Sequence, residues 1–76
     1  MSRIQASELS MTHLGQTVTV RSSAMTVTGE LEWVWFHKGY RDNPNWVQVK
    51  LEFENGEIDL KLQVEDTVTI HEVDDQ

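Results

Sequence analysis

Two segments of alternating apolar residues, 46–54 and 57–62, flank the dipeptide Asn55-Gly56. Asn-Gly between alternating runs is the strongest short signal for a β-hairpin, because both residues tolerate the positive φ of a type I′ turn. The turn predicts a register: Phe53 faces Ile58, Leu51 faces Leu60 and Val49 faces Leu62. All three pairs are apolar and share one face, so turn chemistry and pattern agree.

The same period of two recurs on both sides. Val18 and Val20 alternate with Thr17, Thr19 and Arg21, which reads as a half-buried strand. Residues 22–25 form a turn, and residues 26–37 a long second strand. In that strand Val27, Gly29, Leu31, Trp33 and Trp35 share one face, while Thr28, Glu30, Glu32, Val34 and Phe36 share the other. Its far end is apolar on both faces. A strand that starts half-buried and ends fully buried bends, and Gly29 is the natural place for the bend. Residues 37–45 hold the only proline, Pro44, and read as a loop with freedom to move. Residues 63–66 read as one helical turn with Val64 inward. Residues 67–71 read as a last short strand with Val68 and Ile70 inward. The first 15 residues read as a helical lead-in packed as a lid, with Ser7 or Ser10 as cap, Leu9, Met11 and Leu14 as apolar contacts and Gly15 as stop.

The chain of 76 residues is read as a single domain: helical lead-in 1–15, five strands over 16–71, acidic tail 72–76. A domain this small buries roughly 60% of its unfolded surface, and its core rarely supplies more than roughly 3–5 kcal/mol. There is no cysteine, which excludes a disulfide scaffold and a thiolate metal site. Stability is then expected from a closed barrel or from an oligomer that hides sheet edges. No apolar run approaches membrane-spanning length, and the N-terminal segment lacks the apolar stretch of a secretory signal. A cytoplasmic location, in a bacterial or phage-infected cell, is the expectation.

The strand order resembles the small five-stranded antiparallel barrels of the SH3-like and Sm-like fold. The residues that carry the resemblance are Gly15, Val18 and Val20, then Gly29 and Leu31, then Val68 and Ile70. The style of the whole is similar to small proteins of actinobacterial phages. The Sm-like RNA-binding signatures are missing: the corresponding stretches read WVWFHKG and KLQVED. The resemblance therefore implies a mainly β fold and no uridine-rich RNA site.

Charge divides the chain. Residues 1–38 carry three acids and three bases, whereas residues 39–76 carry ten acids and three bases, so the net −7 lies in the second half. The expected hairpin register sets Glu54 opposite Glu57, Glu52 opposite Asp59 and Lys50 opposite Lys61. Glu52, Glu54, Glu57 and Asp59 thus form a candidate acidic docking patch, or a solvated face that keeps an edge soluble. Trp33, Trp35, Tyr40, Arg41 and Trp46 form a candidate partner-binding set at the end of the long strand, with composition typical of binding hot spots. Trp46 shares parity with Gln48 and Lys50 and is expected on the outer surface.

No catalytic, metal or cofactor site is expected. The histidines His13, His37 and His71 lie far apart without metal-ligand spacing. The paired carboxylates sit on an exposed face, where nothing raises a pKa toward general-acid use. Three functions follow as expectations. The first is a non-catalytic module that binds a protein partner, such as a host protein, through residues 33–46. The second is a self-assembling homo-oligomer. The third, disfavoured by the net charge, is single-stranded nucleic-acid binding through residues 38–46.

Overall fold

The hairpin forms, but two residues away from the expected register. In the computed structural model, which describes residues 2–22 and 25–71, Phe53 pairs with Gly56, Leu51 with Ile58, Val49 with Leu60 and Val47 with Leu62. The turn residues are Glu54 and Asn55, and neither has positive φ, which excludes type I′. Gly56 follows with φ +152° and takes the unusual backbone angle itself. A shift of two leaves every side chain on its original face, so the apolar pattern cannot distinguish the two registers. The charges can. The shift replaces the Lys50/Lys61 and Glu52/Asp59 oppositions with Lys50 opposite Asp59, at the cost of Glu52 opposite Glu57.

The strands in chain order are β1 (Ser2–Gln5), β2 (Thr17–Arg21), β3 (Thr26–His37), β4 (Trp46–Phe53), β5 (Gly56–Gln63) and β6 (Thr67–His71). All pairings are antiparallel, in one six-stranded sheet ordered β1-β6-β2-β3-β4-β5. The fold is mainly β, with no α-helix among the described residues. The expectation of five strands in a closed barrel is corrected on both points: the described residues form six strands, and β1 and β5 end the sheet without pairing to each other. The sixth comes from the expected helical lead-in. Ser2–Gln5 pairs along β6 instead, and only two single 3-10 turns, Ala6–Glu8 and Met11–His13, follow it. Four residues cannot nucleate a helix alone, whereas an exposed edge of β6 offers them a ready ladder. Ala6 N–H to Asp66 O (2.8 Å) and Ser7 N–H to Val64 O (3.1 Å) continue the attachment. The lead-in is a lid as expected, with Ala6 and Leu9 buried, but Met11 points to solvent.

One sheet face curls around a single core of Val18, Val20, Leu31, Val47, Val49, Leu51, Leu62, Val68 and Ile70. Residues 63–66 form a turn rather than a helix, closed by Asp66 N–H to Gln63 O (3.1 Å) and Gln63 N–H to an Asp66 carboxylate oxygen (2.8 Å). The acidic tail 72–76 lies outside the described residues.

β3 changes partner at its middle. It pairs with β2 over residues 26–30 and with β4 over residues 30–37. A β-bulge follows: Leu31 faces Leu51, but Trp33 faces Lys50, which leaves Glu32 as the extra residue. The bulge inverts the expected face assignment beyond it. Val34 and Phe36 now lie opposite Val49 and Val47, while Trp33 and Trp35 turn outward opposite Lys50 and Gln48. A core built of valine and leucine has no space for two indoles, and one extra residue turns both of them out.

At Gly29 the crossing is close. A methyl group there would lie 2.9 Å from Phe53 Cε1 and 3.2 Å from both Glu52 O and Leu51 Cβ. Gly29→Ala is expected to cost about 1–3 kcal/mol, the usual range for overpacking. Chemical denaturation reads this, and an unchanged midpoint would show that the crossing is not tight.

Candidate functional site

The outer half of β3 has one partner only. Gly15 N–H to Leu31 O (2.7 Å) and Leu31 N–H to Gln16 O (2.9 Å) carry the β2 side as far as Leu31. Beyond it, residues 33–37 pair with β4 alone. Side chains from both faces flank this open edge. Trp33 is 43% exposed, Phe36 58% and Met11 75%, and all three line a small apolar notch with Leu14 and Val34. Phe36 lies opposite buried Val47, yet its own ring is exposed, because no strand lies beside it on that edge.

A second surface lies at the end of the same strand. His37 faces Trp46 across β3 and β4, with the rings stacked at 3.9 Å and 4°. His37 Nε2–H donates to Gln48 Oε1 at 3.0 Å. The Lys61 ammonium lies over the same indole, 4.8 Å from the ring centroid. Trp46 is therefore outward as expected, but half-buried between an imidazole and a cation. The loop that follows β3 is tied by Gly39 N–H to Asn45 Oδ1 (2.7 Å) and Asn43 N–H to Tyr40 O (3.1 Å). A side chain at Gly39 would strike the backbone of Asn43 and Pro44, so the loop closes only over glycine. Arg41 sits at φ +59° with its guanidinium 5.2 Å from the Tyr40 ring centroid. Lys38, Tyr40, Trp46 and Lys61 line an open groove of about 400 Å³.

The five aromatic and basic residues singled out in the sequence thus fall on different surfaces. Trp33 borders the open edge. Tyr40, Arg41 and Trp46 lie at the loop, and Trp35 is half-buried on the outward face opposite Gln48. Phe36, an aromatic of the same cluster in the sequence, belongs with them, and so do Met11 and Lys61, which were not singled out. Lys61 carried a signal, because it shares outward parity with Trp46 in the alternating pattern. Met11 carried none, since its exposure depends on where β2 stops.

In the acidic patch Glu54 is in the turn and Asp59 faces Lys50, on the same face of β5 as Glu57. Glu52 and Glu57 stay together and gain two residues from β3, because Glu30 faces Glu52 and Glu32 reaches Glu57. Lys50 Nζ lies 3.8 Å from Glu57 Oε1 in their midst. Hydrogen bonding to Glu57 first, then desolvation and the charges of Glu52 and Glu57, raise the Glu32 carboxyl above its ordinary value; Lys50 opposes them. Among the described residues no three metal-ligating side chains converge, and no helix is long and apolar enough to cross a membrane. Comparison with protein-family models, with curated proteins and with solved structures gives no match.

A carboxyl with a raised pKa binds its proton more readily in the folded than in the unfolded chain. Its contribution is favourable at low pH and is lost as pH rises through the folded value. Glu32→Gln is therefore expected to raise the Tm at pH 7, and the gain to shrink as pH falls through the raised folded value and to be gone below the ordinary 4.5. Thermal unfolding across that range decides it; a gain that does not vary with pH would refute the electrostatic cause.

Proposed function

We propose that this chain is a non-catalytic protein-binding module whose partner adds an extended segment to the open edge of β3. The observation that carries this reading is the coincidence of two features at residues 33–37: an unpaired strand edge, and the exposed apolar side chains of Met11, Trp33 and Phe36 beside it. Added strands gain affinity from main-chain hydrogen bonds and specificity from the side chains that flank the edge. Isolated exposed apolar residues are ordinary on a protein surface, whereas a group of them along a free edge marks an interface.

The curled sheet is read as a small barrel left partly open, and the opening exposes this edge. The resemblance to phage proteins makes a cytoplasmic host protein the expected partner. The carboxylates of Glu30, Glu32, Glu52 and Glu57 would then favour a partner with basic residues near its docking segment, chiefly by speeding encounter.

The groove between Lys38 and Lys61 supports single-stranded nucleic acid as the competing ligand, because two cations there flank Tyr40 and Trp46. One experiment separates the two. Immobilised protein and a Trp33→Ser/Phe36→Ser variant, shown to be folded by circular dichroism, are exposed to bacterial lysate and to a labelled single-stranded oligonucleotide at physiological salt. The expected result is a protein retained by the wild type and lost by the variant, with no oligonucleotide bound. Retention of the same protein by both would overturn the edge reading; oligonucleotide retention would replace it with the nucleic-acid reading.

A further inference from the structure

The sheet has a second long free edge, and its charges are arranged to match themselves. β5 is the last strand in the sheet order and pairs with β4 alone. The opposite end of the sheet is β1, four residues long against eight for β5, so a head-to-tail contact of β5 on β1 of a second copy pairs over half the length that β5 on β5 offers. Residues 59–62 form one wall of an open groove of about 170 Å³, whose far wall is Val20, Ser22 and Met25.

The hydrogen-bond pattern restricts what can pair there. Phe53 and Gly56 close a two-residue turn and so form a hydrogen-bonded pair. Alternation along the antiparallel ladder makes Ile58, Leu60 and Leu62 hydrogen-bonded to β4. The main-chain groups of Glu57, Asp59, Lys61 and Gln63 then point to the free edge. A second β5 pairing antiparallel about a twofold axis must bring these same four residues into register with each other. Five centres satisfy this between Glu57 and Lys61. Centres at Glu57, Asp59 and Lys61 each oppose one charged residue to itself, although the Asp59 centre also sets Glu57 opposite Lys61 twice, and a centre at Ile58 opposes Glu57 to Asp59. A centre at Leu60 sets Asp59 opposite Lys61 of the second copy, twice, and Glu57 opposite Gln63, twice. Directly opposed opposite charges stabilise a pair of strands, and like charges destabilise it. The other face of the same register is apolar, with Leu60 against Leu60 and Ile58, 36% exposed in the free chain, against Leu62.

We infer that this chain forms a twofold dimer by antiparallel pairing of β5 with β5 of a second copy, centred on Leu60. The two six-stranded sheets join into one, and a twofold axis relates every contact. β4 separates β5 from β3, so the open edge at residues 33–37 stays free on each copy. The dimer therefore presents two partner edges, and a partner with two docking segments binds it with avidity.

Light scattering after size exclusion tests this at micromolar concentration and above. The wild type is expected at twice the 8.8 kDa chain mass. Asp59→Lys and Lys61→Asp each turn both cross-strand pairs into like charges, and each is expected to weaken the dimer about tenfold or more. The double swap Asp59→Lys/Lys61→Asp restores opposite charges and is expected to restore the dimer. Circular dichroism confirms that each variant is folded. A monomeric wild type would overturn the inference. So would a dimer insensitive to the single swaps, or one that the double swap does not rescue. The same single swaps leave the β3 edge intact. Partner retention that survives them, with the mass halved, keeps the two readings separate; loss of retention in Trp33→Ser/Phe36→Ser with the mass unchanged does the same from the other side.

Discussion

The β-bulge at Glu32 is the feature on which the arrangement of this surface depends. One extra residue between Leu31 and Trp33 re-phases the rest of β3 against β4. Without it, Trp33 and Trp35 would compete for a core already filled by Val47, Val49 and Leu51, and Val34 would face water. With it, small side chains go in and indoles go out. The outward face of β3, β4 and β5 then holds Trp33, Trp35, His37, Trp46, Gln48 and Lys61 in one layer. The stacked His37–Trp46 pair and the cation over it follow from that phase. The bulge also puts Glu32 beside Glu57, which is why the Glu32 carboxyl has a raised pKa.

Edge management explains much of the rest. A small open sheet exposes main-chain groups at its ends, and each end here is treated differently. β6 is covered by β1 and by the main-chain bonds of Ala6 and Ser7 to the turn at residues 64–66. β5 carries Glu57, Asp59 and Lys61 on one face. The outer half of β3 has no second strand beside it and carries aromatic and apolar side chains with His37, and Met11 and Leu14 of the lead-in line the notch next to it. Strand edges without a second strand invite pairing, and this one lies next to a loop braced by Gly39 and Asn45. Partner binding and self-pairing can therefore use separate strands of the same sheet.

The two halves of the chain share their charge through the sheet in a way the linear count hides. The acids of residues 1–38 balance its bases, yet Glu30 and Glu32 fold against Glu52 and Glu57 of the acidic half. Lys61 leaves the acidic hairpin's tip and joins Lys38 at the opposite end of the hairpin. The molecule is polarised along β4 and β5, with carboxylates at the turn and cations beside Trp46.

By itself the sequence determined the period-two strands, the hairpin between residues 46 and 63, the loop around Pro44 and the inward residues Val18, Val20, Val49, Leu51, Val68 and Ile70. These are local facts of alternation and turn composition, and alternation fixes which face a residue takes. It does not fix how far one strand slides along another by whole pleats, so the hairpin register was off by two while every face stayed right. Nor does it reveal the phase change inside β3, because a strand apolar on both faces reads alike with or without a bulge. Tertiary structure decided those points, together with the strand made from residues 2–5. In each case the deciding energy comes from residues distant in the chain: the limited core volume opposite β3, the exposed edge of β6, and the charge pairing between Lys50 and Asp59. The split of the aromatic set between an open edge and a loop groove came from the same source, since only the fold sets where β2 ends beside β3.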